Sequence, residues 1–235
     1  MCGIIAAATE KSVGKLLVQG LYKMEYRGYD SAGVALHQVK DIAHLRSLGK
    51  VEKLESKMKK QNPRGKIGIA HTRWATHGKP SEENAHPHAS KDRVFIVHNG
   101  IIENYIELKE QLSKKGYLFV SQTDSELIAH QLDFFLSQKH NMFKAMSLLK
   151  KKLQGAFAIA AMDQTDDSHF YLMRNKSPLL LGISDEGMFA ASDPLALADI
   201  TNEFVFLEDG DVVEASASEY KICLLYTSPS PRDLH

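Results

Sequence analysis

Short apolar runs separated by turn-forming residues recur along the whole chain and predict buried strands. The first run, at 3–8, is built of small apolar residues and predicts a buried strand near the N-terminus. Further strands are predicted at 34–39, 43–48, 66–73, 93–98, 117–121, 157–163, 169–174, 179–183, 187–191, 203–207 and 211–216. Loops are predicted at 26–33, which carries two glycines, and from the end of the 66–73 strand to about residue 92.

Apolar residues spaced by three and four positions predict helices between these strands. The predicted helices are 13–25, 51–61, 101–115, a segment from the Thr123–Glu126 capping box to about 138, 142–154 and a short one at 194–200. Ser12 stands before the first helix as a candidate N-cap, and Thr123 with Glu126 has capping-box spacing. Because the late strands follow one another closely, the order favours antiparallel sheets with flanking helices over a repeated βαβ unit.

Composition narrows the class of protein. The chain has 235 residues, 43% of them hydrophobic and 25% charged, which is enough apolar material for a globular core. Lys and Arg total 29 and Asp and Glu total 29, so the formal net charge is zero and nothing indicates a nucleic-acid-binding protein. Mean hydropathy is −0.27, and no apolar run approaches the ~20 residues that span a bilayer. We therefore expect no membrane partner.

The two ends of the chain differ in character. The N-terminus lacks the basic and long apolar regions of a signal peptide, which predicts a cytoplasmic protein. Cys2 directly follows Met1, and removal of Met1 would leave Cys2 with a free α-amino group. The tail at 223–235 has no periodicity and resembles a non-native read-through scar, so the domain is expected to span 1–222. With only Cys2 and Cys223 present, a disulfide framework is not expected.

Cys2 is the strongest candidate for chemistry. A thiol has a pKa near 8.5 and an α-amine has a pKa of about 7.7–8.0. An N-terminal cysteine therefore supplies a nucleophile and a suitable general base in one residue, with water relaying the proton between them. The alternative, a small buried structural cysteine, remains open at this point.

Five histidines, His71, His77, His86, His88 and His98, lie close together in the sequence. A metal site is one interpretation, but their spacing matches no zinc signature, and no HExxH or CxxC motif is present. We expect most of them to be hydrogen-bonded loop histidines and no metal to be bound.

Three further positions have both a structural and a functional interpretation. Asn99-Gly100 after a strand is typical of a type I′ hairpin turn, but the helical pattern that follows favours a turn whose N–H groups form an oxyanion hole. Arg73, beside the only tryptophan, Trp74, could bind a small carboxylate or lie on the surface. Asp124, in the first turn of a predicted helix, could offset the helix dipole or pair with an ammonium group.

Six motifs occur in order along the chain: MCGII, YRGYDSAG (26–33), HTRWATHG (71–78), NAHPH (84–88), HNGIIENY (98–105) and SQTDSE (121–126). Together they resemble the class II glutamine amidotransferase domain, over essentially 1–222. The resemblance implies an α+β fold of the N-terminal-nucleophile type, a four-layer αββα sandwich of two antiparallel sheets between helices. It also implies hydrolysis of glutamine to glutamate and ammonia without a cofactor or metal.

By the same resemblance, Cys2 is the nucleophile with its amine as base, and Asn99 with the Gly100 N–H forms the oxyanion hole. Arg73 is implied to bind the α-carboxylate of glutamine, and Asp124 its α-ammonium group.

The family implies two further sets of residues. Thr76 and His77 are implied to line the substrate pocket. Trp74 is implied to be a lid residue that gates ammonia passage, and Arg27 with Gly28 is implied to pack beside the nucleophile.

The motifs are nearest to a branch of the family in which two sugar-phosphate isomerase domains follow and bind fructose 6-phosphate. Those domains are absent from this sequence, and the full-length protein is expected to be a homo-oligomer. The alternatives are a class II domain with another acceptor, a catalytically silent binding module with the same fold and, more distantly, a metal-dependent hydrolase.

Overall fold

A computed structural model of the protein describes residues 2–74 and 78–223. The strands are β1 (Gly3–Thr9), β2 (Ser31–His37), β3 (Ile42–Leu48), β4 (Ile67–Arg73), β5 (His88–Ser90), β6 (Val94–Ile102), β7 (Gly155–Asp163), β8 (Phe170–Asn175), β9 (Leu180–Ser184), β10 (Gly187–Ala191), β11 (Glu203–Phe206), β12 (Val212–Ala215) and β13 (Tyr220–Cys223). The α-helices are α1 (Gly14–Lys23), α2 (Val51–Gln61), α3 (Tyr105–Ser113), α4 (Glu126–Ser137) and α5 (Met142–Lys152). Two 3-10 helices cover Glu25–Arg27 and Pro194–Leu197.

The strands form two sheets in which each ladder between neighbouring strands is antiparallel. The first sheet has the order β11-β9-β10-β1-β4-β2-β3, and the second has the order β13-β12-β8-β7-β6-β5. Helices α1 and α2 pack on the outer face of the first sheet, and α3, α4 and α5 pack on the outer face of the second. The fold is therefore the expected αββα sandwich.

Strand alternation divides the apolar residues among three layers of core. In β1, Ile4, Ala6 and Ala8 point to the interior between the sheets. Ile5 and Ala7, on the opposite face, pack beneath the helices. Because both faces of the central strands are buried, these strands consist of continuous runs of apolar residues rather than an apolar–polar alternation.

Several element boundaries differ from the sequence prediction for local reasons. Helix α1 begins at Gly14, and the position before it is Val13 with no side-chain cap, so Ser12 is not the N-cap. Strand β2 begins at Ser31, because pairing with β3 and β4 extends it into the predicted loop. The short strand β5 and the edge strand β13 were not predicted.

Two corrections concern the segment before α4. The predicted strand at 117–121 forms no regular structure, since no neighbouring strand pairs with it among the described residues. Helix α4 begins only at Glu126, whose carboxylate accepts from the backbone N–H groups of Val120 and Ser121 at 3.0 and 2.7 Å. The capping box is thus absent, because Thr123 Oγ1 bonds to Ser121 and His88 instead.

The most consequential difference lies at Asn99-Gly100. Strand β6 continues through both residues to Ile102 and pairs with β7 over nine positions. The hairpin and turn interpretations are both wrong, because the long ladder with β7 outweighs the local turn preference of the dipeptide. Gly100 has a φ of 130°, and a Cβ there would lie 2.0 Å from the Ala156 carbonyl oxygen, so only glycine fits.

Candidate active site

The strand registers bring the candidate residues to one end of the interior between the sheets. Inward-facing positions of β4 include 67 and 69, and the same alternation places His71 and Arg73 on that face. In β6 the inward positions 95 and 97 continue to Asn99. Cys2 immediately precedes β1, which pairs with β4 so that Ile4 lies opposite His71. The apolar core thus ends in a polar cluster contributed by both sheets.

The Cys2 thiol is held by the backbone of Trp74. The Trp74 N–H donates to Cys2 Sγ at 3.3 Å, and the Trp74 carbonyl oxygen lies 3.7 Å from the same sulfur. Burial raises the pKa of the Cys2 thiol, although the Trp74 N–H and the charge of Arg73 act in the opposite direction. A half-buried thiol with a raised pKa is protonated at neutral pH and needs a base before it can attack a substrate.

Asn99 reaches across from the second sheet to the backbone of Cys2. Its Nδ2 donates to the Cys2 carbonyl oxygen at 3.2 Å, and its Oδ1 lies 2.9 Å from His71 Nε2. A carboxamide nitrogen carries two hydrogens, so one remains for a negatively charged oxygen that develops next to the thiol. Sequence reasoning identified Asn99 but missed His71, which was grouped with the other histidines.

Arg73 is buried at the end of β4 and is fixed by its neighbours. One guanidinium nitrogen, Nη1, lies 3.6 Å from the Asp30 carboxylate, and Nη2 donates to the Gly78 carbonyl oxygen at 3.3 Å. The Asp30 N–H donates to the Arg73 carbonyl oxygen at 2.8 Å. The arrangement places a positive charge beside Cys2, and the surface interpretation of Arg73 is wrong. Asp30, in the YRGYDSAG motif, was not predicted to take part.

Asp124 is buried in the bend before α4 rather than in the first turn of that helix. Its Oδ2 accepts from the Ile102 N–H at 2.8 Å, and the Ser125 hydroxyl lies 3.4 Å from Oδ1. Ile102 is the last residue of β6, the strand that carries Asn99 and Gly100. The carboxylate therefore ties the bend to the strand of the proposed oxyanion hole.

The loop at 26–30 packs against the tryptophan. Gly28 has a φ of 73°, and a Cβ there would lie 2.5 Å from the Trp74 ring, which is half exposed. Arg27 forms an ion pair with Asp193, and the Tyr26 hydroxyl donates to the same carboxylate at 2.6 Å. Arg27 thus anchors the loop, while Gly28 permits its close approach to Trp74. The predicted pocket residues Thr76 and His77 lie outside the described residues.

Of the five histidines between 71 and 98, the structure describes four, and all four are buried. His71, His88 and His98 lie in strands, so their interpretation as loop histidines is wrong. The His86 ring packs between those of His71 and His88, tilted by 38° to the first and edge-on to the second, with centroid distances of 4.1 and 4.6 Å. Burial lowers the pKa of His71 and that of His88 to about 3, and it also lowers the pKa values of His86 and His98. Within 2–74 and 78–223 there is no cluster of three or more side chains suited to a metal ion.

Two face-packed antiparallel sheets between helical layers, with a cysteine at the start of a central strand, define an N-terminal-nucleophile sandwich. Residues 71–199 match the family model described as a glutamine amidotransferase domain. The chain belongs to this glutamine amidotransferase family.

Curated relatives are considerably longer than this chain. Glutamine–fructose-6-phosphate aminotransferase (isomerizing) of Vibrio parahaemolyticus is 46% identical over 94% of this chain and 36% of the relative. The enzyme of the same name from Haemophilus influenzae is 43% identical over 100% of this chain and 38% of the relative. The chain therefore spans little more than a third of the length of these relatives.

Solved structures share the fold at low sequence identity. Glutamine phosphoribosylpyrophosphate amidotransferase from B. subtilis superposes with a TM-score of 0.83 at 20% identity, over 97% of this chain and 50% of that chain.

In the part of the chain that the structure describes, no helix is long and apolar enough to cross a membrane.

Proposed function

We propose that this domain hydrolyses glutamine to glutamate and ammonia with Cys2 as the nucleophile. The observation that carries the proposal is the convergence of Cys2, Asn99 and Arg73 at one end of the inter-sheet interior, each from a different strand region. Neutral amide substrates need a strong nucleophile, an oxyanion donor and a group that fixes the amino-acid end, and these three residues supply those functions.

The reaction begins when the α-amine of Cys2, free after removal of Met1, takes the thiol proton, directly or through water. The thiolate attacks the side-chain amide carbon of glutamine and forms a tetrahedral intermediate. Asn99 Nδ2 and the Gly100 N–H stabilise its oxyanion. The intermediate collapses, the protonated amine gives its proton to the departing nitrogen, and ammonia leaves. Water then hydrolyses the Cys2 thioester, which releases glutamate and restores the thiol.

Recognition of the amino-acid end follows from the charges in the site. The Arg73 guanidinium matches the α-carboxylate, and Asp124 matches the α-ammonium group. The family resemblance supports substrate binding by Thr76 and His77 as well, and a lid role for Trp74, whose backbone contacts the thiol.

The same proposal covers the longer protein. The relatives' name gives glutamine, fructose 6-phosphate and an isomerizing amino transfer. With the family resemblance, this supports a domain that supplies ammonia to C-terminal isomerase domains, which bind fructose 6-phosphate and make glucosamine 6-phosphate. The expected cytoplasmic location and homo-oligomeric full-length protein, together with the non-native tail at 223–235, stay predictions.

The two cysteines provide a matched test. Cys2→Ser should nearly abolish glutamate release from glutamine, because a hydroxyl is far less nucleophilic than a thiol at neutral pH. Cys223→Ser, at the end of the edge strand β13, should leave the rate unchanged. Intact-mass analysis should show a chain that starts at Cys2. Near-normal release by Cys2→Ser would contradict the proposal, and a retained Met1 with no release would favour a silent binding module.

A further inference from the structure

We propose that His71 is a positioning residue for glutamine hydrolysis, which orients the Asn99 carboxamide so that its nitrogen faces the reacting centre. The inference rests on the proposed function of the site. His71 lies on β4 in the first sheet and Asn99 on β6 in the second, so their 2.9 Å hydrogen bond spans the two sheets.

The protonation state of His71 follows from its surroundings. The side chain is fully buried, and burial lowers its pKa to about 3, so the ring is neutral at physiological pH. A neutral imidazole has one N–H, and Asn99 Oδ1 has no hydrogen to give, so the proton must be on Nε2. Nδ1 makes no hydrogen bond of normal geometry within the described ranges, and the His98 backbone near the ring acts on the His71 pKa in the opposite direction to burial.

The Cys2 carbonyl oxygen, which can only accept, and the His71 Nε2–H together favour one orientation of the Asn99 amide. With Oδ1 facing the His71 N–H, Nδ2 faces the Cys2 carbonyl oxygen at 3.2 Å. The flipped amide would oppose its oxygen to the Cys2 carbonyl oxygen and its N–H to the His71 N–H. The contact between the two oxygens would be repulsive, and the flipped amide would lose the hydrogen bond from the His71 Nε2–H, so His71 in this tautomer reinforces the orientation that presents Nδ2 to an oxyanion.

The His71 ring is itself held in place by packing. The His86 ring packs against it at a centroid distance of 4.1 Å, tilted by 38°, and the backbone of His71 is paired on both sides, with Ile4 of β1 and Gly33 of β2. The donor is therefore fixed before substrate binds. A preorganised donor acts on the transition state without reorganisation, so its loss should appear in kcat rather than in KM.

The test compares variants that keep or lose the donor. His71→Gln keeps an N–H at a similar reach from the backbone, and His71→Phe removes it, with His71→Met as the second donor-free variant if Phe does not fold. We expect the donor-free variant to lose about tenfold or more in kcat with KM within about twofold, and Gln to recover most of the loss. Alkylation of Cys2 by a small neutral thiol reagent should be unchanged.

His37→Phe is the matched control. His37 is also buried, and its Nε2 also bonds to the other half of the sandwich, 2.8 Å from the Gln164 carbonyl oxygen. It is the last residue of β2, whereas the β2 residue that pairs with His71 is Gly33. Its loss should lower the melting temperature without changing kcat.

A double-mutant cycle separates positioning from general destabilisation. In an Asn99→Ala background, His71→Phe should change kcat by less than about twofold, because nothing remains to orient. A full additional loss in that background, or an equal loss from Gln and Phe, would overturn the proposal.

NMR of the Asn99 side-chain NH2 group tests the orienting role without measuring activity. Its pair of resonances is assigned by their absence in Asn99→Ala. They should shift or broaden in the donor-free His71 variant and stay in place in His37→Phe. Unchanged resonances would refute the orienting role. Failure of the wild-type protein to release glutamate would instead refute the proposed function, and the resonances would still decide the role of His71.

Discussion

Replacing Asn99 with alanine should affect catalysis and stability by separate amounts that the structure allows us to estimate. The variant loses the Nδ2 donor next to Cys2, and removal of one oxyanion donor lowers kcat by about 10²–10³, or about 2.7–4 kcal/mol. It also leaves the buried His71 N–H without its 2.9 Å acceptor, which costs about 1–3 kcal/mol. For a domain of this size, ~2 kcal/mol corresponds to a melting temperature about 4–8 °C lower.

Asn104→Ala is the control for the stability part. Asn104 also makes two hydrogen bonds, from Nδ2 to the Lys152 carbonyl oxygen at 2.9 Å and from the Gln154 N–H to Oδ1 at 3.1 Å. It should lower the melting temperature and leave kcat unchanged. Steady-state glutamate release and thermal melting of both variants check the reasoning. If Asn99→Ala mainly raises KM, Asn99 acts in ground-state binding and the oxyanion role is refuted.

Three other predictions concern substrate charge and acid stability. Arg73→Lys should raise KM for glutamine, because the bidentate fork is lost, while Cys2 alkylation by a neutral reagent stays normal. Asp124→Asn should lose most of the preference for glutamine over an analogue without the α-amino group. If the variant discriminates as well as the wild type, Asp124 does not bind the α-ammonium group, and its role is the hydrogen bond with the Ile102 N–H. Burial raises the pKa of Glu126, but His130, whose Nε2 lies 3.6 Å from Oε1, and hydrogen bonds from two backbone N–H groups outweigh this and lower it to about 2. Its stabilising effect should be complete above pH ~4.5 and lost as pH falls towards 2, so acid titration of unfolding should be shallower for Glu126→Gln.

Local signals were sufficient for much of the secondary structure. Helix α2 and strand β10 occupy the predicted ranges of 51–61 and 187–191, because their periodicity and boundaries depend on neighbouring residues. The close spacing of the late strands also favoured antiparallel sheets with flanking helices, whereas the four-layer arrangement was implied by the family resemblance. For the site, the six ordered motifs were enough to identify Cys2, Arg73, Asn99 and Asp124 as candidates.

The amino-acid sequence by itself determined which residue types are available and where most strands and helices form, because hydrophobic period and turn chemistry are local properties. Tertiary pairing decided the rest. The ladder with β7 carried β6 through Asn99-Gly100, and the absence of a partner left 117–121 without regular structure. The contact between His71 and Asn99 depends on how β4 and β6, which belong to different sheets, pack against each other. No local sequence pattern encodes this packing. Their hydrogen bond forms because sheet packing brings the buried His71 ring within 2.9 Å of the Asn99 carboxamide.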